Sequence, residues 1–194
     1  MIAYDEKTAL VVVDVQNDFA DPGGNLHVQG GEAVVPEVNE EVGRALAAGA
    51  MVVYTQDWHP ESTPHFQKDG GIWPVHCVQE TWGAEFHPDL EVAGPVIRKG
   101  ANGEDGYSGF TMRDPETGEQ TATPLRGLLD ERAIEKVVVV GLALDVCVKA
   151  TALDAVGDFD TAVVVGATAP VELLQGDGAR AIEELQADGV TIVG

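Results

Sequence analysis

The sequence predicts an α/β fold of three layers, αβα, around a central, mostly parallel six-stranded sheet. Three observations predict it. Six short apolar runs, at 9–13, 51–55, 96–98, 137–142, 162–165 and 190–193, are mostly continuous rather than alternating, as strands covered on both faces are. Helical patterns lie between several of them, and alternation of strand and helix is the mark of a doubly wound sheet. The chain of 194 residues, 44% apolar, can bury one substantial core, so one domain over residues 1–194 is expected.

The elements follow in order. After the first run, Val35, Val38, Val42 and Leu46 share one stripe of a helix ending near Gly49. Thr123 followed by Pro124 reads as a cap and first turn, with Leu125, Leu128 and Leu129 as the apolar face. The run at 137–142 is followed by a turn and then by helical composition over 148–156, which puts Cys147 in the first turn of a helix. Asp177 is expected to cap a last helix carrying Ile182 and Leu185 and closed by Gly189. Two segments break the rhythm: 57–95, rich in His, Trp and Pro, and 100–123, polar and Gly-rich. Long loops in a compact domain are usually functional or mobile, and both leave the sheet at the carboxyl edge, where open α/β sheets bind ligands.

Composition narrows the partners. A net charge of −22 argues against nucleic acid and anionic membranes, which repel such a surface. No run approaches a membrane helix, and no signal peptide is evident, so a cytoplasmic protein is expected. Two cysteines, Cys77 and Cys147, suit a reducing compartment better than a disulfide framework.

Three strand ends deliver reactive side chains: Asp14, Lys99 and Cys147. In a parallel sheet they would converge at one edge. The free N–H groups and dipole of a helix start favour a thiolate at Cys147. Asp14 could take the thiol proton, and Lys99 could hold the thiolate and stabilise charge in the transition state. Each residue also has a plain reading, as core thiol, backbone cap and covering stem; their coincidence at three strand ends favours chemistry. A second constellation is Asp57-Trp58-His59 with His65 and His76 downstream. Residues i and i+2 of an extended segment face the same way, so Asp57 and His59 can share one ion; imidazoles with a carboxylate suit zinc, iron(II) or manganese.

These motifs, with Asp14-Val15-Gln16-Asn17-Asp18-Phe19, Trp73-Pro74-Val75-His76-Cys77, Lys99-Gly100, Tyr107-Ser108-Gly109-Phe110 and Gly141 through Cys147, resemble those of nicotinamidases in the isochorismatase-like cysteine hydrolase superfamily. The resemblance spans residues 8 to about 165. It implies that superfamily's fold, a catalytic triad of Asp14, Lys99 and Cys147, and one divalent metal ion, zinc first, held by Asp57, His59 and His76. His65 matches a histidine that is a ligand in only some members. Phe19 and Trp73 match aromatic walls of the substrate pocket, bordered by Tyr107. A cis peptide before Ala143 is implied, with an oxyanion hole from the Ala143 and Cys147 N–H groups. The implied activity is hydrolysis of nicotinamide or a similar aromatic carboxamide to the acid and ammonia, through a thioester on Cys147. Another amidohydrolase of the superfamily, acting on a carbamoyl or other small amide, would keep the triad without needing a metal. A non-catalytic metal-binding protein on this fold would be expected to lack a triad member. Monomer and homo-oligomer stay equally open. The one departure is the acidic, insert-like Gly103-Glu104-Asp105-Gly106, expected to alter access to the pocket.

Overall fold

The computed structural model describes residues 2–194. All six expected strands form, in the order β3-β2-β1-β6-β7-β8, every neighbour parallel: β1 (Thr8–Val13), β2 (Met51–Asp57), β3 (Val96–Lys99), β6 (Lys136–Leu142), β7 (Asp160–Ala169) and β8 (Thr191–Val193). Burial explains why these runs are continuous. Leu10 and Val12 of β1 face a core shared with Val34, Val35, Val38, Val42 and Ala45 of α2 (Gly31–Ala47). Ala9, Val11 and Val13 face the opposite core. There they meet Leu125 and Leu129 of α3 (Leu125–Glu131), Ala152 of α4 (Lys149–Val156) and Leu185 of α5 (Asp177–Ala187). With helices on both sides, alternation has no polar face to serve.

The chain winds outward from β1 through β2 to β3, then returns to the other side of β1 as β6. The reversal opens a crevice at the carboxyl ends of β1 and β6, the usual ligand position in such sheets. Gly141 makes the close approach there: its φ is +108° and a Cβ would stand 2.1 Å from the Val13 carbonyl oxygen. Among the described residues no helix is long and apolar enough to cross a membrane.

Four local expectations change. Pro124, not Thr123, is the cap residue of α3, whose first turn starts at Leu125. Leu46 is exposed, and Ala45 takes the buried place in the last turn of α2. Asp177 is the first residue of α5 rather than its cap. Gly176, at φ +88°, is the cap, while the Asp177 carboxylate accepts the Leu174 N–H at 2.7 Å. The segment 100–123 holds an antiparallel hairpin, β4 (Thr111–Arg113) with β5 (Gln120–Ala122). The segment 57–95 stays irregular apart from two short 3-10 turns, Gln67–Asp69 and Trp82–Ala84. A four-residue helix, α1 (Asn17–Ala20), follows β1.

Candidate active site

Asp14 is the first residue past β1, in the left-handed region at φ +49°. Its Oδ2 accepts a hydrogen bond from Lys99 Nζ at 2.7 Å and its Oδ1 one from Thr55 Oγ1 at 2.6 Å. Lys99 closes β3, fully buried, and its ammonium also donates to Asp57 Oδ1 at 2.7 Å and to the Gly106 carbonyl. Three donors thus meet three acceptors, the condition under which a buried cation is tolerable. A Cβ at position 106 would stand 2.9 Å from Asp57 Oδ1, so glycine lets the loop close over this group. Cys147 lies in a π-helical turn, Leu144–Val148, that leads into α4, so the expected helix start is present. Its sulfur and carboxylate oxygens of Asp14 and Asp57 lie within 4.8 Å of one another. The strand ends therefore converge as expected.

The charge balance adds an effect that opposes the helix start. Burial pushes the Cys147 thiol well above its ordinary pKa; Lys99 pulls it down, but Asp14 and Asp57 add to the rise. Desolvation and the two carboxylates thus oppose the thiolate that a helix terminus, worth about 0.3–1 kcal/mol, favours. Burial would depress the Lys99 ammonium, yet Asp14 and then Asp57 hold it well above the ordinary lysine range. Burial pushes Asp14 up to about 6 against the pull of Lys99. Burial also lifts Asp57, but Lys99, His59 and His76 together bring it below the usual carboxylate range. Two carboxylates held apart in this way divide the work, with Asp14 the one poised to exchange a proton.

Beside this group His59, His65 and His76, all buried, each bring one ring nitrogen within 4.8 Å of the others'. Asp57 Oδ2 lies 3.7 Å from His59 Nε2 and 3.8 Å from His76 Nε2. His76 Nδ1–H donates to the Pro74 carbonyl at 2.7 Å, and burial pushes its pKa down to about 3, keeping the ring neutral with Nε2 free. Both ring nitrogens of His59 are buried without a hydrogen-bond partner among the described residues. Orphaned buried polar atoms need an explanation, and an imidazole among imidazoles and a carboxylate is a donor set suited to a divalent cation. The fit is good. His65, left open by the sequence, joins the cluster, its ring stacked on His59 with centroids 4.6 Å apart.

Buried amides and carboxylates pin the backbone around these residues. Gln16 Nε2 donates to the Asp57 and Ala84 carbonyls at 2.8 and 2.9 Å, and its Oε1 accepts the Asp57 N–H at 2.8 Å. Asp18 Oδ2 accepts the Cys77 N–H at 2.7 Å, next to His76. Cys77 itself is buried in the core, as expected for a packing thiol.

One cavity touches both groups. Asp57, His65, His76 and Cys147 line it, as do the expected Phe19, Trp73, Tyr107 and Ala143. Trp73 Nε1–H donates to the Tyr107 hydroxyl at 2.9 Å, which sets both rings. The Leu142–Ala143 peptide is cis, as the resemblance implied. Gly106, Leu26, Val146 and Val171 complete the walls, and the last three carried no sequence signal of a role. Thr55, a polar residue in an apolar strand, and Asp105, whose Oδ1 lies 2.7 Å from His65 Nδ1, were also missed.

A fold wound this way, with a cysteine, lysine and aspartate at the switch of the sheet, is that of the isochorismatase domain. That family matches residues 8–193, and the chain belongs to it. Within the family the chain is 38% identical to a nicotinamidase of Acinetobacter baylyi, over 94% of this chain and 90% of the relative. Its structure resembles that of the Pyrococcus horikoshii pyrazinamidase in complex with zinc (TM-score 0.85, 39% identity, 96% of this chain and 98% of that one). It also resembles the L. infantum protein PnC1 in complex with nicotinate (TM-score 0.88, 36% identity, 99% and 95% covered).

Proposed function

We propose that this chain is a nicotinamidase, a hydrolase acting on the amide C–N bond of nicotinamide to give nicotinic acid and ammonia. The observation that carries the reading is a single cavity lined both by the Cys147 thiol and by His65 and His76 of the imidazole cluster. A carbamoyl-cleaving enzyme would need the thiol but not the cluster. We further assign residues 1–194 to one domain, acting in the cytoplasm in NAD salvage.

In this reading Asp57, His59 and His76, with His65 alongside, hold one divalent ion, zinc first. When bound, the ion supplies a Lewis-acidic position for the pyridine ring nitrogen. Phe19 and Trp73 flank the ring, and Tyr107 keeps Trp73 in place. The carboxamide then lies over Cys147; orientation of this kind can supply several kcal/mol of a barrier, within the roughly 7–11 that full positioning is worth.

Asp14 takes the Cys147 proton as the sulfur attacks the amide carbon, so the thiolate forms only in the step that consumes it. The N–H groups of Ala143 and Cys147 hold the oxyanion, where removing one donor typically costs roughly 10²–10³ in rate. Asp14 returns the proton to the nitrogen, ammonia leaves, and a thioester remains on Cys147. Asp14 then accepts a proton from the water that attacks the thioester, and reprotonates the departing sulfur. Lys99 keeps its charge throughout, holding Asp14 ionised and offsetting the negative charge of each tetrahedral state.

Ammonia release from nicotinamide, with and without a chelator, tests the reading: chelation should abolish turnover and added zinc should restore it. In His76→Ala, metal content should fall and KM should rise together; unchanged metal by elemental analysis would reject that ligand. The pH profile is a separate check. A base whose pKa has been pushed up to about 6 is ionised above that value and protonated below it. The profile of kcat/KM should therefore fall about tenfold per unit as pH drops below about 6. A flat profile down to pH 4 would remove Asp14 from the role.

A further inference from the structure

The three imidazoles are not held alike. His76 gives its second ring nitrogen to a backbone carbonyl, and His59 gives its own to nothing. Of the three, His65 alone has a carboxylate within hydrogen-bond distance, with Nδ1 at 2.7 Å from Asp105 Oδ1, both side chains buried. The other Asp105 oxygen accepts a bond from Arg113 Nη1 at 3.3 Å. The Asp105 backbone pairs with the same residue in both directions, its N–H donating to the Arg113 carbonyl at 2.7 Å and its carbonyl accepting the Arg113 N–H at 3.3 Å. The Thr63 hydroxyl, two residues before His65, donates to the Gly103 carbonyl at 2.7 Å and ties the two loops together.

We propose that Asp105 is a positioning residue for the metal centre: its carboxylate takes the His65 Nδ1–H and so leaves Nε2 as the nitrogen presented to His59 and His76. The acidic segment 103–106, read from sequence as a change in access, thus becomes the support of the fourth donor. Histidine ligands generally give their second nitrogen to a carboxylate or carbonyl, which fixes tautomer and ring orientation and makes the ligating nitrogen more basic. The short hairpin of β4 and β5 gains a purpose too, since Arg113 holds Asp105 from the far side. The proposal rests on the reading that the imidazole cluster holds a divalent ion.

Zinc affinity of chelator-stripped protein, measured by competition with a chromophoric chelator, tests it in wild type, Asp105→Ala, His65→Ala and the double variant. Asp105→Ala should bind zinc about 10–100-fold more weakly, the usual cost of losing such a partner. If Asp105 acts through His65, the double variant binds no worse than His65→Ala alone. Asp105→Asn, which keeps an acceptor for the Nδ1–H, should recover most of the lost affinity. Asp105→Ser, too short to reach His65, should match the alanine variant and stands in for it if that protein does not fold. Affinity of Asp105→Ala or Asp105→Ser within twofold of wild type, or losses that multiply in the double variant, overturns the proposal. Wild-type protein that binds no zinc overturns the metal reading itself, and the proposal with it, which the wild-type arm reveals by itself.

Discussion

Cys147→Ala is expected to lower turnover of nicotinamide by about 10⁴-fold or more, the scale on which nucleophile removal acts when the rest of a catalytic group stays in place. The change should leave fold and metal content untouched. Asp14 is held by Thr55 and Lys99 without help from the thiol, and removing the thiol takes away one sulfur from a cavity wall. Oxyanion donors, ring walls and imidazole cluster all remain, so nicotinamide should still bind. A binding isotherm close to wild type, beside lost ammonia release, is the expected pair of results. Substantial residual turnover would reject Cys147 as the nucleophile.

Lys99→Met should be damaging in a different way, because it strikes stability and catalysis at once. The methionine stem fills most of the same space, but Asp14 and Asp57 would then face each other inside the protein without the cation between them. Leaving a buried charge unpaired costs roughly 3–5 kcal/mol. At about 2–4 °C per kcal/mol for a chain of this size, thermal unfolding should fall by on the order of 6–20 °C. Adding Asp14→Asn removes one of the stranded charges. The double variant should regain part of the lost melting temperature while staying inactive, since Asp14 is the proton carrier. Equal melting temperatures for the single and double variants would contradict the account of Lys99 as the ion that makes two buried carboxylates compatible.

The sheet was legible because its strands are apolar runs covered on both faces, and the convergence of Asp14, Lys99 and Cys147 because they sit at the ends of three of them. The hairpin was not: Thr111–Arg113 and Gln120–Ala122 are three-residue strands, mostly exposed, with no apolar period to read. They are held by each other and by Asp105, a contact between segments that no local pattern encodes. Asp105 itself lies in a run of acid and glycine that looks like solvated loop, and only the fold brings His65 to it. Thr55 is a polar letter inside an apolar strand, but its bond to Asp14 follows from strand pairing rather than from spacing. The upward push on the Cys147 pKa was not legible for a reason of magnitude. A helix start is visible in sequence, whereas the desolvation that outweighs it depends on what covers the sulfur.

Gln16 has a consequence for how the site tolerates change. The paired register of β1 with β2 runs only to Val12 opposite Tyr54, yet the Gln16 amide goes on to give and take a hydrogen bond with the Asp57 main chain. A side chain thereby copies the next rung of the ladder, with the same donor and acceptor a peptide would offer. Glutamate at this position has no donor for the carbonyls of Asp57 and Ala84, and asparagine is one carbon shorter. The two most conservative replacements by chemistry and by shape are thus both ill-suited. Position 16 is spelled by the backbone it imitates, and its vocabulary is a single letter.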